Sequence, residues 1–110
     1  MKLMRMSIAL LCAVTAPALA DDTKAKQLFT QHCASCHGAE RLGGTGPALL
    51  PENLARLRQP EAFQTIAEGR IASQMAGFAG KLAKEEIQAL VGMIYQPLSK
   101  TPVWGADEII

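Results

Sequence analysis

The sequence predicts a small all-α protein organised around one short motif. Apolar residues recur at helical spacing in three stretches, and no stretch shows the alternation of a half-buried strand. The motif, Cys33-Ala34-Ser35-Cys36-His37, ends the first of these stretches. Glycine and proline cluster between the stretches and mark loops. We therefore predict three to five helices packed around the group that the motif binds.

The motif is typical of covalent haem attachment. Two thiols at this spacing can each add to one vinyl group of a porphyrin, and the histidine that follows can then reach the iron as an axial ligand. The sequence thus predicts one covalently bound haem c per chain. Cys33 and Cys36 are the predicted anchors, and His37 is the predicted axial ligand.

Three other uses of such a cysteine pair compete with haem attachment. A thioredoxin-like redox pair needs a βαβ setting, which the sequence lacks. A structural zinc site needs about four ligands, but the histidines, His32 and His37, both lie in the same short stretch. A disulfide would close only a very small loop. An exported thiol or metal protein without haem stays as an alternative.

The first twenty residues resemble a secretory signal. Lys2 and Arg5 precede the short apolar stretch 6–14, and Ala18-Leu19-Ala20 supplies a small-residue cleavage site. That stretch is far below the ~20 residues of a membrane span. We predict a signal peptide over 1–20, a cytochrome-type domain over 21–97 and an extended tail over 98–110. Haem c is assembled outside the cytoplasm, so the prediction is a periplasmic protein without a membrane span after cleavage.

Charge and size exclude some functions. The chain has 110 residues, with eleven Lys and Arg against ten Asp and Glu. Loss of Lys2 and Arg5 would leave nine against ten, a formal charge of −1. Such a balance offers no basic field for nucleic acid. We expect a monomer whose limited core is completed by the haem.

The first predicted helix has cap candidates at Asp21, Asp22 and Thr23 and a stop at Gly38. Its apolar stripe, which includes both anchors, comprises Ala25, Leu28, Phe29, Cys33 and Cys36. A loop follows over 38–53. The positions of the prolines then predict a short helix from Pro51 or Glu52 through Arg58.

Two further helices follow. One has Pro60 in its first turn and Gly69 at its end. The last runs from about Ala83 to Tyr95, and Pro97 ends it. Its stripe comprises Ile87, Leu90, Val91 and Ile94, while the stripe of the preceding helix comprises Ala62, Phe63, Ile66 and Ala67.

Two methionines compete for the second axial position after signal cleavage. Met75 lies in a Gly-rich irregular segment that can wrap over a haem face and present a thioether. Met93 lies inside the last helix, where packing is its expected role. His32 precedes the Cys33 anchor on the same helix and cannot reach the opposite face. Met75 is therefore the predicted ligand.

Over residues 22 to 95 the chain resembles class I cytochromes c. The resemblance rests on Ala25-x-x-x-Phe29, on Gly46-Pro47 and on the segment from Met75 to Ile87. It implies the class I cytochrome c fold and a hydrogen bond from His37 to the carbonyl of Pro47, which would orient the ligand. Two departures are Ala76, where the family often has proline, and Ala83, where it usually has a Ser or Thr cap.

A narrower resemblance comes from Gly46-Pro-Ala-Leu-Leu-Pro-Glu-Asn-Leu54 and from the tail segment 95–105. These look like the small periplasmic NirC-type cytochromes associated with d-type haem nitrite reductase. The resemblance implies a one-electron carrier in denitrification, not an enzyme, whose redox partner is that reductase or one of its maturation proteins. The alternative is a partner in maturation of the d-type haem that docks through its tail, where Trp104, Ile109 and Ile110 are apolar.

Charged residues near the predicted site have less specific roles. Lys81 and Lys84 follow the Met75 segment and are candidates for the rim of a docking surface, although solvated lysines are an equally good interpretation. Arg58 and Arg70 are both candidates to pair with a haem propionate, and their spacing does not choose between them.

Overall fold

The structure is a computed structural model that describes residues 18–100, 102–103 and 105–106, with side chains from Asp22 onward. In these residues the helices are α1 Ala18–His32, α2 Ala34–His37, α3 Gln59–Glu68 and α4 Lys84–Ile94. The described part contains no strand, only an isolated antiparallel bridge between Gly69 and Ala76. The all-α prediction is confirmed. Residues 1–17 of the predicted signal peptide, and Trp104, Ile109 and Ile110 of the tail, lie outside the described residues.

The core forms where α1 packs against α4 and α4 packs against α3. Ile87, Leu90 and Val91 of α4 are almost fully buried. The other buried apolar side chains are Ala25, Leu28, Phe29, Leu54, Ala62, Leu82 and Ile94. The predicted stripes of α1 and α4 therefore face each other, because residues three and four apart share one face of a helix.

Three boundaries differ from the sequence prediction. α1 begins at Ala18, so Asp21, Asp22 and Thr23 lie inside the helix and do not cap it. The alanines and leucine ahead of them are strong helix formers that extend it. The predicted single helix up to Gly38 is interrupted at Cys33, where φ is −120° and ψ is −33°. Gly38, with φ 82°, ends α2 as expected.

The short helix predicted through Arg58 is wrong, because residues 51–56 form successive turns. The bonds there are mostly three residues long, from Asn53 N–H to Leu50 O (2.9 Å) and from Leu57 N–H to Leu54 O (2.9 Å). Pro51 has no N–H to contribute. The segment instead buries Leu54 in the core.

The later helix ends are confirmed. α3 has proline in its first turn, and its C-cap is Gly69, with φ 78°. At α4 the predicted absence of a side-chain cap at Ala83 is observed. The backbone N–H of Ala83 instead donates to Glu86 Oε1 at 3.0 Å. That contact lowers the pKa of Glu86. Among the described residues, no helix is both long and apolar enough to cross a membrane.

Candidate cofactor site

A cavity of about 730 Å³ lies between α1, α3 and the loops that follow α2 and α3. Its wall includes all four predicted attachment and ligand residues, Cys33, Cys36, His37 and Met75. The rest of the wall is largely apolar, with Phe29, Leu49, Leu54, Leu57, Ile66, Phe78, Leu90 and Ile94. The fold thus gathers the four predicted residues, up to 42 positions apart in sequence, around one space.

The two thiols have different surroundings. Cys33 is half-buried and Cys36 is exposed, and they are not joined in a disulfide. Burial raises the pKa of the Cys33 thiol to about 11, and the neighbouring Cys36 contributes to the shift. The described residues contain no cluster of three or more His, Cys, Asp or Glu that could hold a metal ion. The zinc alternative therefore finds no ligand set in this part of the chain.

The imidazole of His37 is held in one orientation. Its Nδ1 lies 2.7 Å from the carbonyl oxygen of Pro47, which is the atom pair that the resemblance implied. A carbonyl only accepts, so Nδ1 carries the proton and donates. Nε2 then keeps its lone pair, which is the state in which histidine binds a metal. The ring also packs directly on Gly46, where an added Cβ would lie 2.9 Å from Cε1.

The loop after α2 folds back onto the motif through its backbone. The N–H of Gly43 donates to His37 O at 2.8 Å, and that of Gly46 donates to Cys36 O at 2.8 Å. These bonds use carbonyls at the C-terminal end of α2 that have no partner within the helix. They place Pro47 beside the imidazole.

Arg41, in this same loop, was missed by sequence analysis. Its side chain is buried, with 8% of its surface exposed, and its Nη1 contacts four carbonyl oxygens. Burial lowers the pKa of Arg41, and the charge of Glu52 offsets part of that effect. A charged residue in a polar loop is normally solvated. Its burial depends on the end of α4, and no local pattern signals that contact.

Met75 is half-buried on the cavity wall, in a loop that closes on itself. Its carbonyl accepts from Arg70 N–H at 3.1 Å, and its N–H donates to Ser73 Oγ at 3.2 Å. Beyond it, Phe78 N–H donates to Ile66 O of α3 at 2.9 Å. Met93 packs against the core and does not line the cavity, as its predicted packing role requires.

The charged residues considered for the site differ in whether they line the cavity. The Arg58 guanidinium is bound to Glu61 and does not line the cavity, whereas Arg70 does. Arg56, which sequence analysis did not consider, also lines it. Lys81 lies over the Phe78 ring, 6.0 Å from its centroid, and Lys84 is exposed. His32 lines the cavity and meets the Phe78 ring edge-on at 5.6 Å.

These residues fit a haem. The cavity volume falls within the ~300–1,000 Å³ of ligand pockets, and its wall is apolar with a few polar groups. Two thiols and a preoriented imidazole lie on its wall, and a thioether completes the His/Met donor set of cytochromes c. Such a fold and site define a c-type cytochrome.

The comparisons with known proteins agree. The family described as cytochrome c oxidase, cbb3-type, subunit III, matches residues 20–93. The chain therefore belongs to this family of cytochrome c domains, and its cofactor is a covalently bound haem c with its iron.

The chain is similar to one larger enzyme and to small c-type cytochromes. It is 46% identical, over 99% of its length, to the dihydro-heme d1 dehydrogenase of Pseudomonas aeruginosa, but spans only 22% of that protein. It is 33% identical to cytochrome c55X of the same organism, covering 83% of this chain and 82% of that one. The solved c-type cytochrome NirC superposes with a TM-score of 0.63 at 33% identity, covering 69% of this chain and 89% of that one.

Proposed function

We propose that this chain is a periplasmic one-electron carrier that serves d-type haem nitrite reductase in denitrification. The observation that carries the proposal is the convergence of Cys33, Cys36, His37 and Met75 on the wall of one largely apolar cavity. The likeness to cytochrome c55X and to the c-type cytochrome NirC supports it, because those proteins are of similar size to this chain.

Each of the four residues has a distinct role in this proposal. Cys33 and Cys36 would anchor the haem covalently, and His37, through Nε2, and Met75 would bind its iron. Pro47 keeps the imidazole in the correct tautomer and makes it a stronger donor. The haem supplies one-electron chemistry, as its iron alternates between the ferric and ferrous states.

The proposed ligand set argues for an electron-transfer protein and against an enzyme. With His37 and Met75 both bound, no position remains for a substrate at the iron. The cavity wall is largely apolar, with side chains such as Phe29 and Leu90, and such surroundings would favour a small rearrangement between the two redox states. Export by the predicted signal peptide would place the carrier in the periplasm, where haem c is attached.

Replacing Met75 with alanine tests the ligand assignment. The holoprotein should lose the weak red-end absorption band that marks iron–sulfur bonding, because no thioether remains on the cavity wall. Its haem should still resist extraction with acidic acetone, because both anchors are intact. The measurement is the absorption spectrum of the oxidised protein before and after extraction.

Met93→Ala is the matched control, since Met93 packs against the core and does not line the cavity. It should keep the band and lose some stability. If the Met93 variant lost the band and the Met75 variant kept it, the assignment would be wrong. A colourless product from a strain with a cytochrome c assembly system would reject the haem site altogether.

A second candidate function is a role in maturation of the d-type haem. It is favoured by the 46% identity to dihydro-heme d1 dehydrogenase, which takes in almost the whole chain, tail included. The tail continues from the end of α4, and Val103 within it is 90% exposed. An exposed apolar side chain of this kind is available for a protein contact.

Deletion of residues 98–110 separates the two functions. If the chain is a carrier, the truncated holoprotein in its reduced form should still be reoxidised by the nitrite reductase and nitrite at close to the full-length rate. The absorption spectrum should not change, because the predicted ligands precede the tail. A maturation partner that docks through the tail would instead lose at least tenfold in affinity for the d1-haem enzyme, measured by titration calorimetry.

A further inference from the structure

Arg41 joins two distant parts of the chain at the end of α4. Its Nη1 lies 3.1 Å from Met93 O, 3.1 Å from Ile94 O and 2.9 Å from Gln96 O. The last carbonyls of a helix lack partners within the helix and carry partial negative charge, so a cation is well placed there. The contact is buried, which makes these bonds strong and their loss costly.

Arg41 also contacts both the backbone N–H and the backbone carbonyl of Leu49. The carbonyl of Arg41 accepts from Leu49 N–H at 2.9 Å, and its Nη1 lies 3.2 Å from Leu49 O. Leu49 also packs against the core and lines the cavity. It follows Pro47 by two residues, so Arg41 holds the chain just after Pro47, whereas the bond from Gly46 N–H to Cys36 O holds it just before.

The backbone of Arg41 adds an independent observation. Its φ is 64°, a left-handed conformation that costs free energy in a residue with a side chain. Such a conformation persists only where surrounding contacts outweigh that cost, and it often occurs at functional sites. Here the contacts that outweigh it are the bonds to Leu49 and to the end of α4.

We propose that Arg41 is a positioning residue for the iron ligand. By tying Leu49 to the end of α4, it keeps the Pro47 carbonyl at hydrogen-bond distance from His37 Nδ1. The inference rests on the proposed ligand role of His37. No sequence motif indicates it, because the partners of Arg41 at the end of α4 lie 52 to 55 residues further along the chain.

The proposal predicts the direction in which loss of Arg41 shifts the reduction potential. A bond from Nδ1–H to a carbonyl makes the imidazole a stronger donor, which favours the ferric state. If Arg41 is lost, that bond loosens and the reduction potential rises. Loss of a positive charge alone does the opposite, because a nearby cation disfavours the more highly charged ferric state. The direction of the shift therefore separates positioning from plain electrostatics.

The experiment compares Arg41→Gln, Arg41→Lys and Tyr95→Phe as holoproteins. Tyr95 is the control, because its hydroxyl donates to Leu57 O and ties the end of α4 to a different segment.

The readouts are the midpoint potential and the exchange rate of the His37 Nδ1 proton in the reduced protein. Arg41→Gln should raise the potential and speed exchange about tenfold, as expected for loss of roughly one hydrogen-bond network contact.

The other variants should leave the potential near that of the unchanged protein. Lysine keeps the charge and can donate to the same carbonyls, whereas Tyr95→Phe removes only the hydroxyl that donates to Leu57 O. A lowered or unchanged potential in Arg41→Gln overturns the proposal. So does an equal rise in Tyr95→Phe, which would mean that general loosening, and not Arg41, moves the ligand.

If Arg41→Gln does not fold or does not bind haem, a measurement on the unchanged protein tests the proposal instead. Because the proposal makes the Arg41–Leu49 contact responsible for the position of the Pro47 carbonyl, the Leu49 amide and the His37 Nδ1 proton should exchange through one shared opening. Their protection should then fall in parallel as denaturant is added. Independent protection would contradict the proposal. Failure of His37 as a ligand would appear separately, as an unaltered spectrum in His37→Ala.

Discussion

Gly77→Ala is expected to lose the red-end absorption band and to unfold at a clearly lower temperature. A Cβ at position 77 would lie 2.6 Å from Ala67 O and 2.8 Å from Glu68 O. Both atoms belong to the backbone of α3, which cannot move aside as a side chain can. Overpacking of this kind costs about 1–3 kcal/mol. The loop that carries Met75 must therefore move away from α3.

That movement breaks the bonds that hold the Met75 loop in place. Phe78 N–H donates to Ile66 O at 2.9 Å, and Ala79 N–H donates to Ala67 O at 3.0 Å. Each is worth about 1 kcal/mol net. Together with overpacking, the expected loss of stability is roughly 3–5 kcal/mol. Thermal unfolding and the spectrum of the oxidised holoprotein measure the two effects.

Gly80→Ala is the control within the same loop. A Cβ there meets nothing within 4 Å, and the backbone of Gly80 is not left-handed. Its stability should stay equal or rise by ~0.4–1 kcal/mol, because alanine restricts the unfolded chain. The proposed placement of Met75 would be contradicted if Gly77→Ala kept both the band and the unfolding temperature of the unchanged protein.

Gly46→Ala is expected to disturb the other axial ligand. The new methyl group would lie 2.9 Å from Cε1 and 3.0 Å from Nδ1 of His37, against a ring that also contacts Pro47. The ring is a side chain and can rotate, so we expect it to leave the Pro47 carbonyl while the fold survives. The potential should rise for the reason given for Arg41, and holoprotein yield should fall by roughly tenfold.

Gly92→Ala serves as the control here. Gly92 is exposed in the last turn of α4, and a Cβ there meets nothing within 4 Å. Alanine should stabilise the helix by about 0.5–1 kcal/mol and leave the potential unchanged. An unchanged His37 Nδ1 proton resonance in Gly46→Ala would show that the ring does not depend on the small residue at this position.

Local chemistry explains most of what could be predicted. The stripe of Ile87, Leu90, Val91 and Ile94 had to face a core, and these residues are buried. Pro60 and Gly69 marked the two ends of α3, because proline fixes φ at a helical value and glycine can adopt the positive φ of 78° found at the C-cap. The Cys33–His37 motif needed no tertiary information, since its chemistry is contained in five consecutive residues.

Predictions failed where contacts between residues far apart in sequence determine the structure. The turns over 51–56 were predicted as a helix from the position of Pro51, which can open either structure, and in the fold they bury Leu54. Arg58 was considered for the cavity because its pairing with Glu61 was not anticipated. Arg41 was overlooked because its acceptors become available only when α4 ends beside it.

The amino-acid pattern alone therefore determined an all-α chain with one haem-attachment motif and a candidate thioether ligand in a glycine-rich loop. Only the tertiary structure decided that Met75 and not Met93 lines the cavity, and that Arg41 ties the Pro47 loop to α4. The physical reason is the distance along the sequence over which each interaction acts. Helix periodicity and covalent chemistry act over a few residues, whereas cavity walls and buried cations depend on carbonyls and side chains that only packing brings together.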